Sequence, residues 1–141
     1  MTRIDFYTRV SEPAQFACRL TQTVYNRGER LLVRLEDDDM LGAFSTRLWS
    51  FDDVAFVPHC RHDAAEAGVT PIWLTAGAPM GEHHPAVLLN LSDGLPEAPT
   101  RFARILEIVG NDEDSLARAR QRFKFYREHG FTIEHHDMSA R

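Results

Sequence analysis

Residues 30–35 read Arg30-Leu31-Leu32-Val33-Arg34-Leu35, an almost unbroken apolar run that decides the fold. A strand with one face in water alternates apolar and polar side chains, whereas a strand covered on both faces is apolar throughout. Strands of the second kind belong to parallel sheets, which carry helices on both faces. The run therefore predicts an inner strand of a parallel sheet.

The elements predicted before this strand complete a strand–helix–strand unit. Arg3 to Tyr7 suits a strand, since its isoleucine and aromatic residues favour a pleated surface. Ser11 can cap a following helix that has Pro13 in its first turn, and Gly28 is a good stop signal. Helical spacing gives that helix an apolar stripe of Phe16, Leu20 and Val24, with Cys18 beside it.

A second helix and a region of weaker signals follow. Asp37 to Asp39 can cap the helix, which we expect to end near Trp49. Beyond it, Phe51 to Val57 suggests a short extended segment, and His59 to Thr70 is typical of a loop. The apolar side of the helix would use Met40, Leu41, Phe44 and Leu48.

The last part of the chain alternates strands with one more helix. Arg104 to Val109 favours a strand, although it could also be the end of a helix. Asp112 to Asp114 can cap the most regular helix, Ser115 to His129, which Gly130 terminates. The other predicted strands are Pro71 to Thr75, Ala86 to Leu91 and Phe131 to Glu134. Strands that alternate with helices indicate a three-layer α/β domain with a mostly parallel sheet.

Length and composition restrict the class of protein. The 141 residues fit a single domain, 1–141, and 43% hydrophobic with 26% charged residues is typical of a folded chain. Two cysteines, Cys18 and Cys60, are too few for a disulfide framework. The sequence starts without a signal-peptide pattern, and its apolar runs are too short to cross a bilayer. We therefore expect a cytoplasmic protein with no membrane partner.

The charge distribution bears on nucleic acid as a partner. A net charge of −5 argues against binding of phosphates over the whole surface, so no direct high-affinity nucleic-acid contact is expected. The charge is nevertheless polarised. Residues 36–39 are all acidic, whereas residues 101–127 carry seven arginines and lysines.

The motifs of nucleotide binding are missing from the sequence. The glycines of Gly77-Ala78-Pro79-Met80-Gly81 are too closely spaced for a P-loop, and no Lys with Ser or Thr follows them. Residues 8–11, Thr-Arg-Val-Ser, stand where a GxGxxG turn would follow the first strand. We therefore expect no nucleotide site and no cofactor.

Metal-assisted catalysis is the remaining enzymatic possibility. The side chains that could serve as ligands are His59, Cys60, His62, His83, His84, His135 and His136. Their spacing does not match a closed zinc site, and no third group is placed to orient a Cys–His pair. We expect solvated histidines and no intrinsic catalysis. A small metal- or nucleotide-dependent α/β enzyme stays as the alternative.

Three segments carry a family resemblance. The first joins Leu48-Trp49 to residues 56–59, Phe-Val-Pro-His, and the second pairs residues 71–73, Pro-Ile-Trp, with residues 88–91, Leu-Leu-Asn-Leu. The third and most specific is the basic, aromatic helix from Glu113 to Arg127 with the Gly130-Phe131 that follows it. Through these segments, and through Asp5-Phe6-Tyr7 near its start, the chain resembles the chi subunit family of bacterial DNA polymerase III.

The resemblance implies a Rossmann-like α/β fold without a nucleotide and a protein without chemistry of its own. Members of the family are accessory subunits of the DNA polymerase III holoenzyme, a DNA-directed DNA polymerase complex. They join its clamp loader through the psi subunit and bind the acidic C-terminal tail of single-stranded-DNA-binding protein. Two linked contacts of this kind raise effective concentration, so such a subunit acts as an adaptor in DNA replication.

The resemblance also assigns a tail-binding site on the last helix. Arg120, Lys124 and Arg127 share one helix face, and Phe123 lies at its border with the apolar stripe that packs on the sheet. By resemblance, the family's tail-binding Arg, aromatic residue and Lys correspond to Arg120, Phe123 and Lys124, with Val109 as a pocket wall. Phe123 stands where a Tyr is familiar, so the pocket lacks a hydroxyl. The alternative is a solvated basic face with Phe123 wholly internal.

A second interaction site falls by resemblance on Trp49 and Phe56, which correspond to the surface that meets psi or another partner. Both lie in or beside an irregular segment, where large aromatic side chains can stay exposed and anchor an interface. The alternative is that both fill the domain core, as Trp and Phe commonly do.

Overall fold

A single parallel sheet organises the protein. The computed structural model describes residues 2–52, 56–77 and 81–139. Its elements are β1 (Arg3–Val10), α1 (Pro13–Asn26), β2 (Leu31–Arg34), α2 (Asp38–Ser50), β3 (His59–Arg61), β4 (Ile72–Thr75), β5 (Val87–Asn90), β6 (Arg104–Gly110), α3 (Glu113–Glu128) and β7 (Thr132–Asp137), with short 3₁₀ turns at Ala67–Val69 and Pro99–Arg101. The strand order is β3-β4-β2-β5-β6-β1-β7, and every pair is parallel.

The β2 strand lies inside the sheet, as the sequence predicts. It pairs with β4 on one side and β5 on the other. Leu31 and Val33 pack in the cluster that includes α1 and α2, whereas Leu32 belongs to the cluster that includes α3. Each of these side chains is at most 2% exposed, because both faces of the strand are covered. The expected three-layer, Rossmann-like α/β fold is thereby confirmed.

The first two helices differ from expectation in detail. Glu12 rather than Ser11 occupies the cap position of α1, and no side chain caps that end. Gly28 does end the helix region, with the positive φ of 76° that glycine tolerates. Asp37 caps α2 by accepting a hydrogen bond from the Met40 N–H at 2.8 Å. Met40 itself is 53% exposed and does not belong to the buried side of α2, which is formed by Leu41, Phe44 and Leu48.

The prediction of a plain loop from His59 to Thr70 is wrong. The segment contains β3 and a 3₁₀ turn. β3 has three residues, lies at the edge of the sheet and pairs only with β4. Its side chains are partly or fully accessible to solvent, so the sequence shows no apolar run at this strand. Phe51 is also not extended, since it keeps helical angles (φ −67°, ψ −20°) at the end of α2. Residues 53–55 of that predicted segment lie outside the described part of the chain.

The carboxyl-terminal elements form a strand–helix–strand crossover. Residues 104–109, for which the sequence left a strand and a helix end open, belong to the strand β6. This strand lies between β5 and β1. Asp112 caps α3 by accepting from the Ser115 N–H at 3.0 Å, and Gly130 follows the helix with φ 77°. β7 begins and ends later than predicted, at Thr132 and Asp137. The crossover therefore carries α3 over β1, which separates β6 from β7.

A buried carboxylate fixes α3 to the sheet. Glu107 on β6 is fully buried and accepts hydrogen bonds from Arg122 Nε (3.1 Å), Tyr126 Oη (2.8 Å) and Asn90 Nδ2 (3.1 Å). Burial raises the pKa of Glu107, and the Arg122 charge opposes that shift. Arg122 is only 7% exposed, although the charged residues two positions away, Arg120 and Lys124, are exposed. No helix in the described ranges is long and apolar enough to span a membrane.

A second buried carboxylate, Asp5 on β1, joins the two ends of the chain. It lies 2.6 Å from Arg104 Nε, 3.2 Å from Arg3 Nη2 and 2.9 Å from His136 Nε2. Burial alone would raise the pKa of Asp5, but the hydrogen bonds from Arg104 and His136 and the nearby arginines outweigh it and hold the pKa below its ordinary value of 3.8. Such a carboxylate stabilises the fold above its unfolded pKa, and this contribution is lost as pH falls through the folded pKa.

Replacing this carboxylate should therefore flatten the acid limb of the stability profile. We expect Asp5→Asn to lower the free energy of unfolding at pH 7 by about 1.5–3 kcal/mol, because charge-assisted hydrogen bonds are lost. The difference from the unmodified protein should shrink as pH falls from 3.8, the ordinary pKa of the carboxyl, through the lower pKa of folded Asp5. Urea unfolding from pH 7 to pH 2.5 measures this.

Asp63→Asn is the matched control, since Asp63 forms an exposed ion pair with Arg61 at 3.3 Å. It should change stability by less than about 1 kcal/mol at any pH. A difference between Asp5→Asn and the unmodified protein that stayed constant down to pH 2.5 would contradict the proposed ionisation of Asp5.

Candidate partner-binding sites

The outer side of α3 presents a row of cations. Arg120, Lys124 and Arg127 are exposed, as their spacing predicts. The Arg127 guanidinium lies 5.8 Å from the ring centroid of Phe123, and Lys124 Nζ lies 3.9 Å from a carboxylate oxygen of Glu128. That last contact is a solvated ion pair between neighbouring turns and holds Lys124 only weakly. The row is therefore free to meet an acidic partner.

A cavity of about 140 Å³ opens beside this row, between α3 and β7. We call it the α3 cavity. It is lined by Phe6, Thr8, Val109, Leu116, Ala119, Arg120, Phe123 and His135. Three of the four residues assigned to tail binding, Val109, Arg120 and Phe123, thus come together, whereas Lys124 does not line the cavity. Among the described residues, no acidic side chain lines it and one arginine does, so its electrostatic potential favours anions.

The packing of Phe123 gives the α3 cavity its shape. Its ring meets the ring of Phe6 edge to face, with centroids 5.6 Å apart. Phe123 is half-buried, so it is neither wholly internal nor free in solvent. Val109, 2% exposed, forms the floor at the end of β6. The result is an apolar recess with one guanidinium, that of Arg120, in its wall.

Two lining residues were missed by sequence reasoning. His135 on β7 and Thr8 on β1 are joined by a 2.6 Å contact between Nε2 and Oγ1. They meet because β7 pairs with β1 in register, with Phe6 opposite His135. The signal available was strand alternation, which puts His135 on the same face as the half-buried Ile133. The predicted strand ended at Glu134, one residue too early to use it.

The second predicted site is an exposed aromatic patch made of Trp49, Phe56 and His59. Trp49 is 54% exposed and Phe56 60% exposed, so neither fills the core. The Trp49 ring centroid lies 5.2 Å from that of Phe56 and 4.9 Å from that of His59. Contiguous exposed aromatic surface of this kind is unusual in a protein that has no partner for it.

The base of the aromatic patch is firmly held. His59 Nδ1 lies 2.8 Å from the Val57 carbonyl oxygen, and its Nε2 lies 3.0 Å from Ser45 Oγ. Val57 is buried in the cluster beneath α2. The His59 ring is therefore fixed in place beneath Trp49, and it loses little conformational entropy when a partner binds.

The two sites lie at opposite edges of the sheet. The aromatic patch includes His59 of β3, and the α3 cavity includes His135 of β7. These strands are the first and last in the seven-strand order. Six spacings of about 4.8 Å separate them by about 29 Å. Two partners can occupy the two sites without competing for the same surface.

The histidines do not form a metal centre in the part of the chain that is described. Within residues 2–52, 56–77 and 81–139, no three His, Cys, Asp or Glu side chains converge to hold an ion. Several of the candidates instead have local partners: His59 with Ser45, His135 with Thr8 and His136 with Asp5.

Comparisons with known proteins identify the family. The family model described as the DNA polymerase III chi subunit, HolC, matches residues 1–134. DNA polymerase III subunit chi of Pseudomonas aeruginosa is 35% identical over 142 residues, which cover 98% of each chain. The subunit chi of Haemophilus influenzae is 27% identical over 84% of this chain and 83% of its own. That of Escherichia coli is 23% identical over 88% of this chain and 84% of its own. The chain therefore belongs to the DNA polymerase III chi subunit family, a family of replication accessory subunits.

Proposed function

We infer that this protein is a non-catalytic adaptor of the DNA polymerase III holoenzyme. It links the clamp loader, through psi or an equivalent partner, to the acidic C-terminal tail of single-stranded-DNA-binding protein. This role locates it in the cytoplasm with the replication machinery. The observation that carries the proposal is the α3 cavity, where Val109, Arg120 and Phe123 combine an apolar recess with a cationic wall.

The α3 cavity suits the end of an acidic peptide whose last side chain is apolar. That side chain would fill the recess against Phe123 and Val109, where it is removed from water. The terminal carboxylate would pair with the Arg120 guanidinium, and the upstream acidic residues would lie along Lys124 and Arg127. Because Phe123 has no hydroxyl, affinity here depends on apolar contact and on the guanidinium.

Removing the guanidinium should weaken the peptide complex. We expect Arg120→Ala to lower the affinity for the tail peptide by about 1.5–3 kcal/mol, the range of a charge-assisted hydrogen bond. The thermal midpoint should change little, because Arg120 is exposed and has no ion pair among the described residues. Titration calorimetry with the synthetic tail peptide measures the loss.

Arg19→Ala on α1 removes the same charge from an exposed position away from α3 and serves as the matched control. It should bind the peptide as the unmodified protein does. Wild-type affinity in Arg120→Ala would mean that the tail binds elsewhere.

Salt separates the contribution of the exposed cations from that of the recess. Binding should weaken several-fold between about 0.05 M and 0.5 M NaCl, because screening acts mainly on Lys124 and Arg127. In the double variant Lys124→Ala/Arg127→Ala the affinity at low salt should fall and its salt dependence should become shallower. An unchanged salt dependence in that variant would exclude these two side chains from the contact.

The aromatic patch is the proposed contact with psi or an equivalent clamp-loader partner. Replacing Trp49 and Phe56 together with Ala should abolish capture of that partner, since exposed aromatic anchors dominate such interfaces. The fold should remain cooperative, because both side chains are more than half exposed. Size-exclusion chromatography of the mixed proteins, with urea unfolding of the variant alone, measures both.

Val69→Ala is the control for this variant, since Val69 is an apolar side chain 88% exposed elsewhere on the surface. It should leave the complex intact. Retained binding by the Trp49/Phe56 double variant would remove the patch from the interface.

One experiment separates the adaptor from the alternative of a small metal- or nucleotide-dependent enzyme. Immobilised protein should retain purified single-stranded-DNA-binding protein and lose it when that protein lacks its acidic tail. A stoichiometric metal or nucleotide in the purified sample, with turnover of any substrate, would favour the enzyme instead.

A further inference from the structure

A separate cavity of about 390 Å³ lies at the carboxyl ends of β2, β5 and β6. We call it the carboxyl-edge cavity. Its volume falls within the range of about 300–1,000 Å³ typical of small-molecule sites. Open parallel sheets bind ligands in this location, outside the carboxyl ends of their strands. The α3 cavity is a different space, and the two cavities share no lining residue.

Most of the wall is apolar. Leu35 and Leu91 follow β2 and β5, Ile108 lies on β6, and Phe44 and Ala43 come from α2. Leu35 and Phe44 are 4% and 6% exposed and belong to the core cluster, so the surface they offer is fixed by packing. A ligand with a flat apolar body would bury its surface against them.

One polar group in the wall has a donor that no described residue uses. Arg122 is 7% exposed, donates from Nε to Glu107 and donates from Nη1 to the Asp93 carbonyl oxygen at 3.0 Å. Among the residues that the structure describes, none accepts a hydrogen bond from Arg122 Nη2. Because the guanidinium lines the cavity, Nη2 can donate a hydrogen bond to an acceptor that binds there.

The charge of the cavity favours an anion. Three arginines line it, Arg47, Arg118 and Arg122. Arg118 meets Asp93 at 3.2 Å and Arg122 meets the buried Glu107 at 3.1 Å, whereas Arg47 has no ion pair among the described residues. An acceptor with one negative charge would accept from Arg122 Nη2 and balance the charge of Arg47.

The helix ends beside the cavity limit how much negative charge it can take. The N–H groups of Met40 and Ser115, at the amino ends of α2 and α3, are already bound by Asp37 and Asp112. Each first turn carries two more acids, Asp38 and Asp39 in α2 and Glu113 and Asp114 in α3. Neither end can cradle a phosphate dianion, so a monoanion fits better.

We propose that the carboxyl-edge cavity binds a small organic carboxylate with a flat apolar body. Its carboxylate pairs with Arg118 and Arg122, and its body lies against Phe44, Leu91 and Ile108. This site is independent of the proposed tail and partner sites.

Three probes of similar size test the proposal by NMR titration of the full chain: 3-phenylpropionate, the neutral 3-phenylpropan-1-ol and the dianionic phenyl phosphate. We expect saturable binding of 3-phenylpropionate, with amide shifts at Ala43, Leu91 and Ile108. The neutral alcohol should bind about tenfold more weakly, since it forms no charge-assisted bond. Phenyl phosphate should also bind more weakly. Absence of saturable binding of 3-phenylpropionate, or tighter binding of the alcohol or the phosphate, would overturn the proposal.

Two variants assign the binding to this cavity. Ala43→Trp, at an exposed position of α2, should fill the space and abolish binding, and Arg118→Gln should weaken it about tenfold. Arg120→Ala, in the α3 cavity, is the control and should bind 3-phenylpropionate unchanged while losing tail-peptide affinity. Binding retained in Arg118→Gln, or lost in Arg120→Ala, would refute the carboxyl-edge site without affecting the adaptor proposal.

Discussion

The carboxylate of Glu107 is the interaction on which the placement of α3 depends. It sits without solvent contact in the middle of β6 and gathers donors from β5 and from two successive turns of α3. A buried charge is tolerated only when its partners are complete, so the rotation of α3 about its own axis is fixed. With Arg122 and Tyr126 turned inward, Arg120 and Phe123 must face the gap toward β7. The α3 cavity is thus a consequence of a salt bridge that does not itself line it.

The topology places the two proposed partner sites far apart. One edge of the sheet is β3, residues 59–61, and the other edge is β7, residues 132–137. The two outermost strands therefore come from distant parts of the sequence. Each edge has its own exposed chemistry, aromatic beside β3 and basic on α3, next to β7. The sheet between them is rigid, so the proposed contacts are held at a fixed separation. Partners bound at the two proposed sites would be kept apart as well as linked.

The sequence predicts the interior better than the surface. The unbroken apolar run of β2 and the caps and glycine of α3 depend on neighbours in sequence, and both predictions were correct. β3 was missed because a three-residue edge strand needs no apolar pattern. Arg122 was also missed, since its local context is that of a solvated helix face and its partner Glu107 lies in another element. A lone glutamate within the apolar strand Ile105-Leu106-Glu107-Ile108-Val109 was the available clue. Thr8 and His135 both line the α3 cavity and contact each other. They are far apart in sequence, and only the parallel pairing of β1 with β7 brings them together.

That same pairing delays the folding of the protein during synthesis. β1 bonds only to β6 and β7, with Arg3 opposite Arg104 and Thr132. Ile4 and Phe6 therefore have no strand to join until β6, residues 104–110, has been made. At about 5–20 residues per second, the wait is roughly 5 to 22 seconds. The first strand made is thus among the last to be paired, so the nascent chain carries an unpaired β1 for most of its translation.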